Sequence, residues 1–371
     1  MIYLDNAATT KPLQSAVKNY ENLLTDCFFN PSSTYGGGIE TKKIIERSRE
    51  KILKLFPANY EVIFTAGGTE ADNTAIFNYS KRGNIVTSKG EHSAVFESFN
   101  ELKKRGLEVR FANLNEDGSV NKQSLLSLID DKTTFVSIVH VNNETGAIND
   151  INDLSKSVKK KNSSVVFHSD GVQAFGKIPY SICDSVDMYS ISAHKIGGLK
   201  GTGALIKKKR LTISPYIFGG GQENGMRSGT ENVFGISIFG DVAKLHYENI
   251  RQNYQEVKKL KQLFVDNLDR ENVRILSGNN SSPYVLSLSA EGLKGEVIMH
   301  MLEDFGVIIG TGSACSSRHR HSRILKECGY RDSVLDGALR VSFIDGITPD
   351  EVIFACEKLN ECVKKLKGIM G

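Results

Sequence analysis

The sequence predicts an α/β fold, with a large domain built on a mainly parallel seven-stranded sheet and a smaller α+β domain beside it. Three observations carry this. Seven short runs rich in β-branched and aromatic residues recur between about residues 60 and 210, and helical segments separate most of them. The runs are nearly continuously apolar, as strands covered on both faces must be, rather than alternating. After about residue 250 the pattern changes to longer helices and sparser strands.

The runs are "EVIFTA" (61–66), "NIVTS" (84–88), "EVRFA" (108–112), "TFVSIVHV" (134–141), "SVVFHSD" (164–170), "DMYSIS" (187–192) and "GALIKK" (203–208). Segment 92–105 carries helical signals and stops at Gly106. In such sheets ligands sit beyond the carboxyl ends of the strands, so the residues just after each run are the first place to look. Further on, a charged helix (250–270) leads to "VRIL" (273–276), "YVLSLS" (284–289), a helix near 295–304, "VII" (307–309) and "ALRVSF" (338–343). The last helix, 349–366, sets Val352, Cys356, Leu359, Val363 and Leu366 on one apolar stripe, so Cys356 reads as a core residue. The expected domains are 15–250, and 1–14 together with 251–371. The opening segment is compatible with pairing to either one.

Length and charge narrow the function classes. The 371 residues can bury two cores. Lys and Arg number 47 against 43 Asp and Glu, a net +4 that makes no electrostatic case for nucleic acid. The runs "KKK" (159–161) and "KKKR" (207–210) read as solvated loop or strand ends. The opening "MIYLDNAATTKP" lacks a signal pattern, and no apolar run reaches membrane-spanning length, so a cytoplasmic protein without a membrane partner is expected. Cysteines stay reduced there, and the six in this chain form no CxxC pair. A special cysteine then reads as reactive rather than cross-linked; Cys183, Cys356 and Cys362 read as small buried hydrophobes.

Two Gly-rich motifs fail. "GVQAFGKI" (171–178) resembles a P-loop but puts Ile178 where a magnesium-binding hydroxyl belongs, and no G-x-G-x-x-G joins a first strand to its helix. A stronger pattern lies in "SISAHKIGGLKGTGAL" (190–205), where Lys195 follows a strand end, and in "VVFHSDGVQAFGK" (165–177), where Asp170 ends another. Alone, each reads as a polar loop. Together they suit pyridoxal phosphate, which needs a lysine for its Schiff base and an acid to keep its ring nitrogen protonated. "TAGGTEADN" (65–73) adds a helix N-terminus whose free N–H groups can take a phosphate.

With these motifs in view, the chain resembles the cysteine desulfurases of the NifS/IscS type, class-V aminotransferases of pyridoxal-phosphate fold type I (the aspartate-aminotransferase fold). "YLDNAATT" (3–10), "NPSS" (30–33), "FTAGGTEADN" (64–73), "EHSAV" (91–95), "VNNETGAI" (141–148), "HSDGVQAFGKI" (168–178), "SAHKIGGLKGTGAL" (192–205), "GGGQENGMRSGTENV" (219–233) and "GSAC" (312–315) occur in the family's order and at comparable spacings. The resemblance implies that Lys195 bonds the cofactor, Asp170 pairs with its ring nitrogen, and Gln173 reaches its phenolic oxygen. It implies that Gly68, Thr69, Ser192 and His194 hold the phosphate, and that Thr230 reaches the phosphate of a neighbouring subunit in a homodimer. His92 is implied to stack on the ring, Asn143 to touch cofactor and substrate, and Arg340 to bind the substrate carboxylate. For an isolated His92 a structural role is the plainer reading, and for Arg340 a surface arginine on a strand. The chain departs from the family pattern in "VSFIDG", which delays a Gly after Arg340 to Gly346, in "GGT" for "GAT", and in the basic "RHRH" (318–321).

Cys315 lies in "GTGSACSSRHRH" (310–321), among Gly310, Gly312, Ser313, Ser316 and Ser317 rather than apolar neighbours. A metal site with His319 and His321 lacks a convincing fourth ligand and the usual zinc spacing, so no metal is expected and the nucleophile reading ranks first. Arg318, Arg320 and His319 nearby favour the thiolate. The expected activity is conversion of L-cysteine to L-alanine, with sulfur held as a Cys315 persulfide. An acceptor protein, an Fe–S scaffold or a tRNA-thiolating sulfurtransferase, would then take the sulfur. The rivals are a selenocysteine lyase on the same site, a non-catalytic scaffold for sulfur-transfer partners, and an ordinary aminotransferase, which would leave the cysteine segment unexplained.

Overall fold

The computed structural model describes residues 1–18, 21–80, 82–312 and 321–370. A short strand β1 (Ile2–Tyr3) opens the chain. The seven expected runs become β2 (Tyr60–Thr65), β3 (Asn84–Ser88), β4 (Glu108–Ala112), β5 (Thr133–Ser137), β6 (Val166–Asp170), β7 (Met188–Ser192) and β8 (Gly203–Lys208). They form one sheet in the order β2-β8-β7-β6-β5-β3-β4. β8 runs antiparallel to both its neighbours, and the other pairings are parallel. β3, β6 and β7 are buried throughout, as the continuous apolar runs require.

Beyond the sheet lie β9 (Arg274–Ile275), β10 (Val285–Ser289), β11 (Val307–Ile308) and β12 (Ala338–Ser342). β10 pairs antiparallel with β12 and β9, while β11 takes β1 as a parallel partner. A second apolar core forms here from Val257, Phe264, Leu288, Ile298, Val341 and the stripe Val352, Cys356, Leu359 and Val363 of the helix Pro349–Met370. The expected charged helix 250–270 is the second half of a longer one, Val233–Asp266. Its first half buries Ile236, Phe239 and Val242 in the sheet's core, and its second half buries Val257, Leu260 and Phe264 in the other. The apolar first half hid its continuity with the charged half, whose face turns to solvent.

Two expectations are corrected. The lysine runs are not merely solvated ends: Lys207 and Lys208 are buried, and Lys159, Lys208 and Arg210 gather on the fully buried Asp187. A carboxylate taken out of water needs cations around it, and the lysine runs supply them. Cys183 is half-buried rather than core, lying in the connection between β6 and β7 with Sγ 3.7 Å from the Ser155 hydroxyl.

Candidate active site

A cavity of ≈ 230 Å³ lies at the carboxyl ends of the parallel strands. Gly68 and Thr69, after β2, line it, with His92 after β3, Asn143 beyond β5, Asp170 and Gln173 at the end of β6, and Ser192, His194 and Lys195 at the end of β7. Ala7, Ala8 and Arg340 close it from the other core. Residues far apart in sequence meet here because β2, β3, β5, β6 and β7 all end on the same side of the sheet.

Lys195 ends a short turn, Ala193–Lys195, directly after β7. Its Nζ donates to the carbonyls of Ala7 and Ala8, both at 2.7 Å. The opening segment is stitched to this turn: Thr10 N–H donates to the His194 carbonyl at 2.9 Å, and Gly197 N–H to the Thr10 hydroxyl at 2.7 Å. Since β1 meanwhile pairs with β11, residues 1–14 join the lysine turn to the second core.

Asp170 is buried and accepts from the Val172 N–H at 2.9 Å. Burial raises its carboxyl to about 6, against the opposing pull of the Val172 hydrogen bond and Lys195. Asp72, one turn into the helix Gly68–Tyr79, lines the same cavity; burial and then Asp170 push it well above the usual carboxylate range. Two adjoining buried carboxyls that both resist ionisation make a site suited to a cation.

His92 caps the helix Ser93–Lys104, its Nδ1 accepting from Ala94 N–H at 3.2 Å. Burial, Lys195, Arg323 and Arg340 push the ring down to about 4, so it is neutral near pH 7. With Nδ1 accepting, its proton sits on Nε2. The capping role is structural, and the same residue lines the cavity.

Arg340 is buried on β12, not on the surface. Its Nη1 donates to the Asn143 carbonyl at 2.9 Å and Nη2 to Asp5 Oδ1 at 2.8 Å, while Nε has no partner among the described residues. Backbone bonds to Gly310 hold the strand in place, and the altered "VSFIDG" leaves β12 regular through Ser342.

The family profile of class-V aminotransferases matches residues 2–353. The chain belongs to that family. Among curated relatives of this class-V aminotransferase, a cysteine desulfurase IscS of Dictyoglomus turgidum is 36% identical over 99% of this chain and 96% of its own length. A NifS/IcsS protein homolog of Lactobacillus delbrueckii subsp. bulgaricus is 35% identical over the full length of both. Among solved structures, a NifS-like protein superposes with a TM-score of 0.92 at 32% identity, covering 98% of this chain and 99% of its own. The NifS-like protein from Rickettsia africae gives 0.90 at 31% identity, covering 98% and 99%.

Pyridoxal phosphate is the cofactor of this class-V aminotransferase, and the residues present fit it. Ser192 and Asn143 line the cavity, and Ser192 Oγ and Asn143 Oδ1 are buried without hydrogen-bond partners among the described residues. The acid pair Asp170 and Asp72 suits a ring nitrogen that carries a proton. A Cβ on Gly68 would come within 2.6 Å of Val172 Cγ2, so the helix N-terminus lies close against the turn after β6, with Gly68 and Thr69 at the cavity where their N–H groups can take a phosphate.

Of the residues singled out in the sequence, Gly68, Thr69, His92, Asn143, Asp170, Gln173, Ser192, His194, Lys195 and Arg340 share the one cavity. Thr230 does not; it is exposed and lines a separate hollow with Arg227 and Glu231. Cys315 and His319 lie outside the described residues. His321 is engaged by Asp336, whose Oδ1 is 2.8 Å from its Nε2. Asp5, Asp72, Lys177 and Glu91 do not stand out in the sequence although each lies inside a quoted motif; burial marks Asp72, Glu91 and Lys177, and the ion pair with Arg340 marks Asp5.

Proposed function

We propose that this chain is a cysteine desulfurase that converts L-cysteine to L-alanine and passes the sulfur through a Cys315 persulfide. The observation that carries the reading is the meeting of Lys195, Asp170, His92 and Arg340 on one cavity. Bound there, pyridoxal phosphate supplies the electron sink that makes the substrate's α-proton and Cβ–S bond labile. Lys195 would be its covalent anchor, Asp170 would pair with its ring nitrogen and Gln173 with its phenolic oxygen, and Gly68, Thr69, Ser192 and His194 would hold its phosphate.

Arg340 takes the substrate carboxylate: its Nε lacks a partner, and the guanidinium, held by Asp5 and the Asn143 carbonyl, is pre-oriented. Lys195 Nζ, delivered as a neutral amine, removes the α-proton. Neutral His92 offers its Nε2–H across the cavity. The Cys315 thiolate attacks the substrate sulfur: an S–S bond forms, the Cβ–S bond breaks with its electron pair left on carbon, the carbon fragment takes up a proton at Cβ and regains one at Cα from Lys195, and it leaves as L-alanine. The sulfur then moves to an acceptor protein in Fe–S cluster assembly or tRNA thiolation.

A homodimer belongs to the same proposal. Thr230 is exposed, and Phe28, Tyr35 and Phe218 show the large apolar exposure that a subunit contact would cover. So does the domain division into 15–250, and 1–14 with 251–371, which the separate apolar cores support. Among the described residues no helix is long and apolar enough to cross a membrane. A thiol that must stay reduced between turnovers suits the cytoplasm.

The test is a single preparation loaded with pyridoxal phosphate and given L-cysteine. It should yield alanine, a visible cofactor band that K195A lacks, and a persulfide mass on Cys315. C315A should keep the band and lose the persulfide. Keto-acid formation without persulfide would mark an aminotransferase instead.

A further inference from the structure

Ten residues of the cavity answer to the proposed chemistry, but a buried lysine stands just behind it. Lys177 does not line the cavity, yet it is buried to 4% exposure. Long cationic side chains are rarely buried so deeply without a task, because taking an ammonium out of water is costly. Its Nζ donates to Gln173 Oε1 at 2.9 Å. Gln173 in turn donates from Nε2 to the Ala7 carbonyl at 2.8 Å, and that carbonyl also accepts from Lys195 Nζ at 2.7 Å. The four groups form one chain: Lys177, Gln173, the Ala7 carbonyl, Lys195.

The chemistry of the two ends leaves the amide no choice of orientation. The Ala7 carbonyl can only accept, so it takes the NH2 end of Gln173. Lys177 donates whether or not it is charged, so it takes the oxygen end. A glutamine side chain otherwise turns readily, since its terminal torsion is broad and roughly two-fold. Here the turned amide would set Nε2 against the Lys177 amine and Oε1 against the Ala7 carbonyl. The sequence spacing favours the contact: Gln173 and Lys177 are four residues apart in the tight turn that follows β6, and Gly176 at φ +69° carries the chain through it.

We infer that Lys177 is a positioning residue: by holding Gln173 Oε1 it keeps the amide nitrogen on the cavity side, where the N–H not given to the Ala7 carbonyl would meet the phenolic oxygen of pyridoxal phosphate. The inference rests on the cofactor reading above and deepens it. Lys177 touches neither cofactor nor substrate and acts through Gln173. A hydrogen bond donated to the phenolic oxygen withdraws charge from it, and so lowers the basicity of the neighbouring nitrogen with which it shares a proton. Burial, Lys195 and Arg340 bring the Lys177 amine down to about 7, so it can stand behind the site without imposing a full charge at neutral pH.

The test compares K177M, Q173L and the double variant, each loaded with pyridoxal phosphate. The readouts are the pH midpoint of the visible cofactor band, cofactor retention on dialysis, and thermal midpoint. Methionine fills the lysine's volume without a donor, and replacing a buried ion by an apolar side chain of similar size is often tolerated; K177Q, which keeps a donor, serves as the rescue variant. K177M and Q173L should each raise the pH midpoint by roughly one unit. The double variant should match Q173L, because Lys177 has nothing to orient once the amide is gone. K177Q should restore most of the parent midpoint. A K177M midpoint equal to the parent's while Q173L shifts would overturn the inference. So would a K177M shift that persists undiminished in the Q173L background, or a K177Q midpoint no nearer the parent's than that of K177M. If Q173L leaves the midpoint unmoved, the Gln173 assignment fails and the inference with it. If the parent forms no visible band, the cofactor reading itself falls.

Discussion

Asp170→Asn replaces the acid at the end of β6 by a neutral side chain of nearly the same shape. Asn can still accept from the Val172 N–H through Oδ1, so the local backbone bond survives. What changes is charge. In the folded, cofactor-free chain burial lifts the Asp170 carboxyl from 3.8 to about 6. A displacement of that size corresponds to about 3 kcal/mol. Below pH 3.8 folded and unfolded chains both hold the proton. Between pH 3.8 and about 6 the folded chain alone keeps it, and above that both are ionised and the folded state has given up those ~3 kcal/mol. D170N removes the loss, so the cofactor-free protein should gain up to about 3 kcal/mol at pH 8 and clearly less at pH 5. Asp170 in turn raises the neighbouring Asp72, so part of the gain reports on the two acids together rather than on Asp170 alone. The cofactor should respond in the opposite direction: losing a charge-assisted bond to the ring nitrogen should weaken its hold roughly 10- to 100-fold. The assay is urea unfolding of the cofactor-free parent and variant at both pH values, with cofactor affinity titrated in parallel. A variant no more stable than the parent at pH 8, or one that binds the cofactor equally well, would refute the reasoning. The active site would then owe nothing to a carboxylate kept uncomfortable until its partner arrives.

Arg340→Lys keeps the charge but loses the planar fork that contacts Asp5 and Asn143, and should raise KM for L-cysteine at least about 10-fold while leaving the visible band unshifted. Steady-state kinetics and absorbance on the same sample check this; an unchanged KM would remove Arg340 from the carboxylate site. His92, pushed down to about 4, should show no ring titration between pH 5.5 and 8 in NMR spectra of the cofactor-free protein. A midpoint near the ordinary 6.5 would mean that the ring is not held neutral by burial and its cationic neighbours.

Much of this site was legible because its chemistry is local. Lys195, Asp170, Gly68 and His92 each follow a strand whose apolar run announces it, and the parallel-sheet rule says that such positions converge. The partners that prepare those residues were not legible in the same way. Asp5 and Arg340 are 335 residues apart yet share an ion pair. Asp72 reads in sequence as an ordinary helix acid, and Lys177 as part of a failed P-loop. Nothing in their composition separates a buried acid or amine from a solvated one. The lysine runs went wrong for the same reason, since a basic run looks alike whether it meets water or a buried Asp187.

Fold class and the order of the seven sheet strands along the chain follow from residue type and spacing, because backbone pairing and apolar burial act on short stretches, and the ten cavity-lining residues stand out through the motifs that resemble the family's. Which groups lose water together follows only from the packed chain. Burial sets Asp170 near 6, His92 near 4 and Lys177 near 7, and it sets how the Ala7 carbonyl, Gln173 and two lysines share hydrogen bonds. Desolvation depends on every neighbour in space, and those neighbours come from both ends of the sequence.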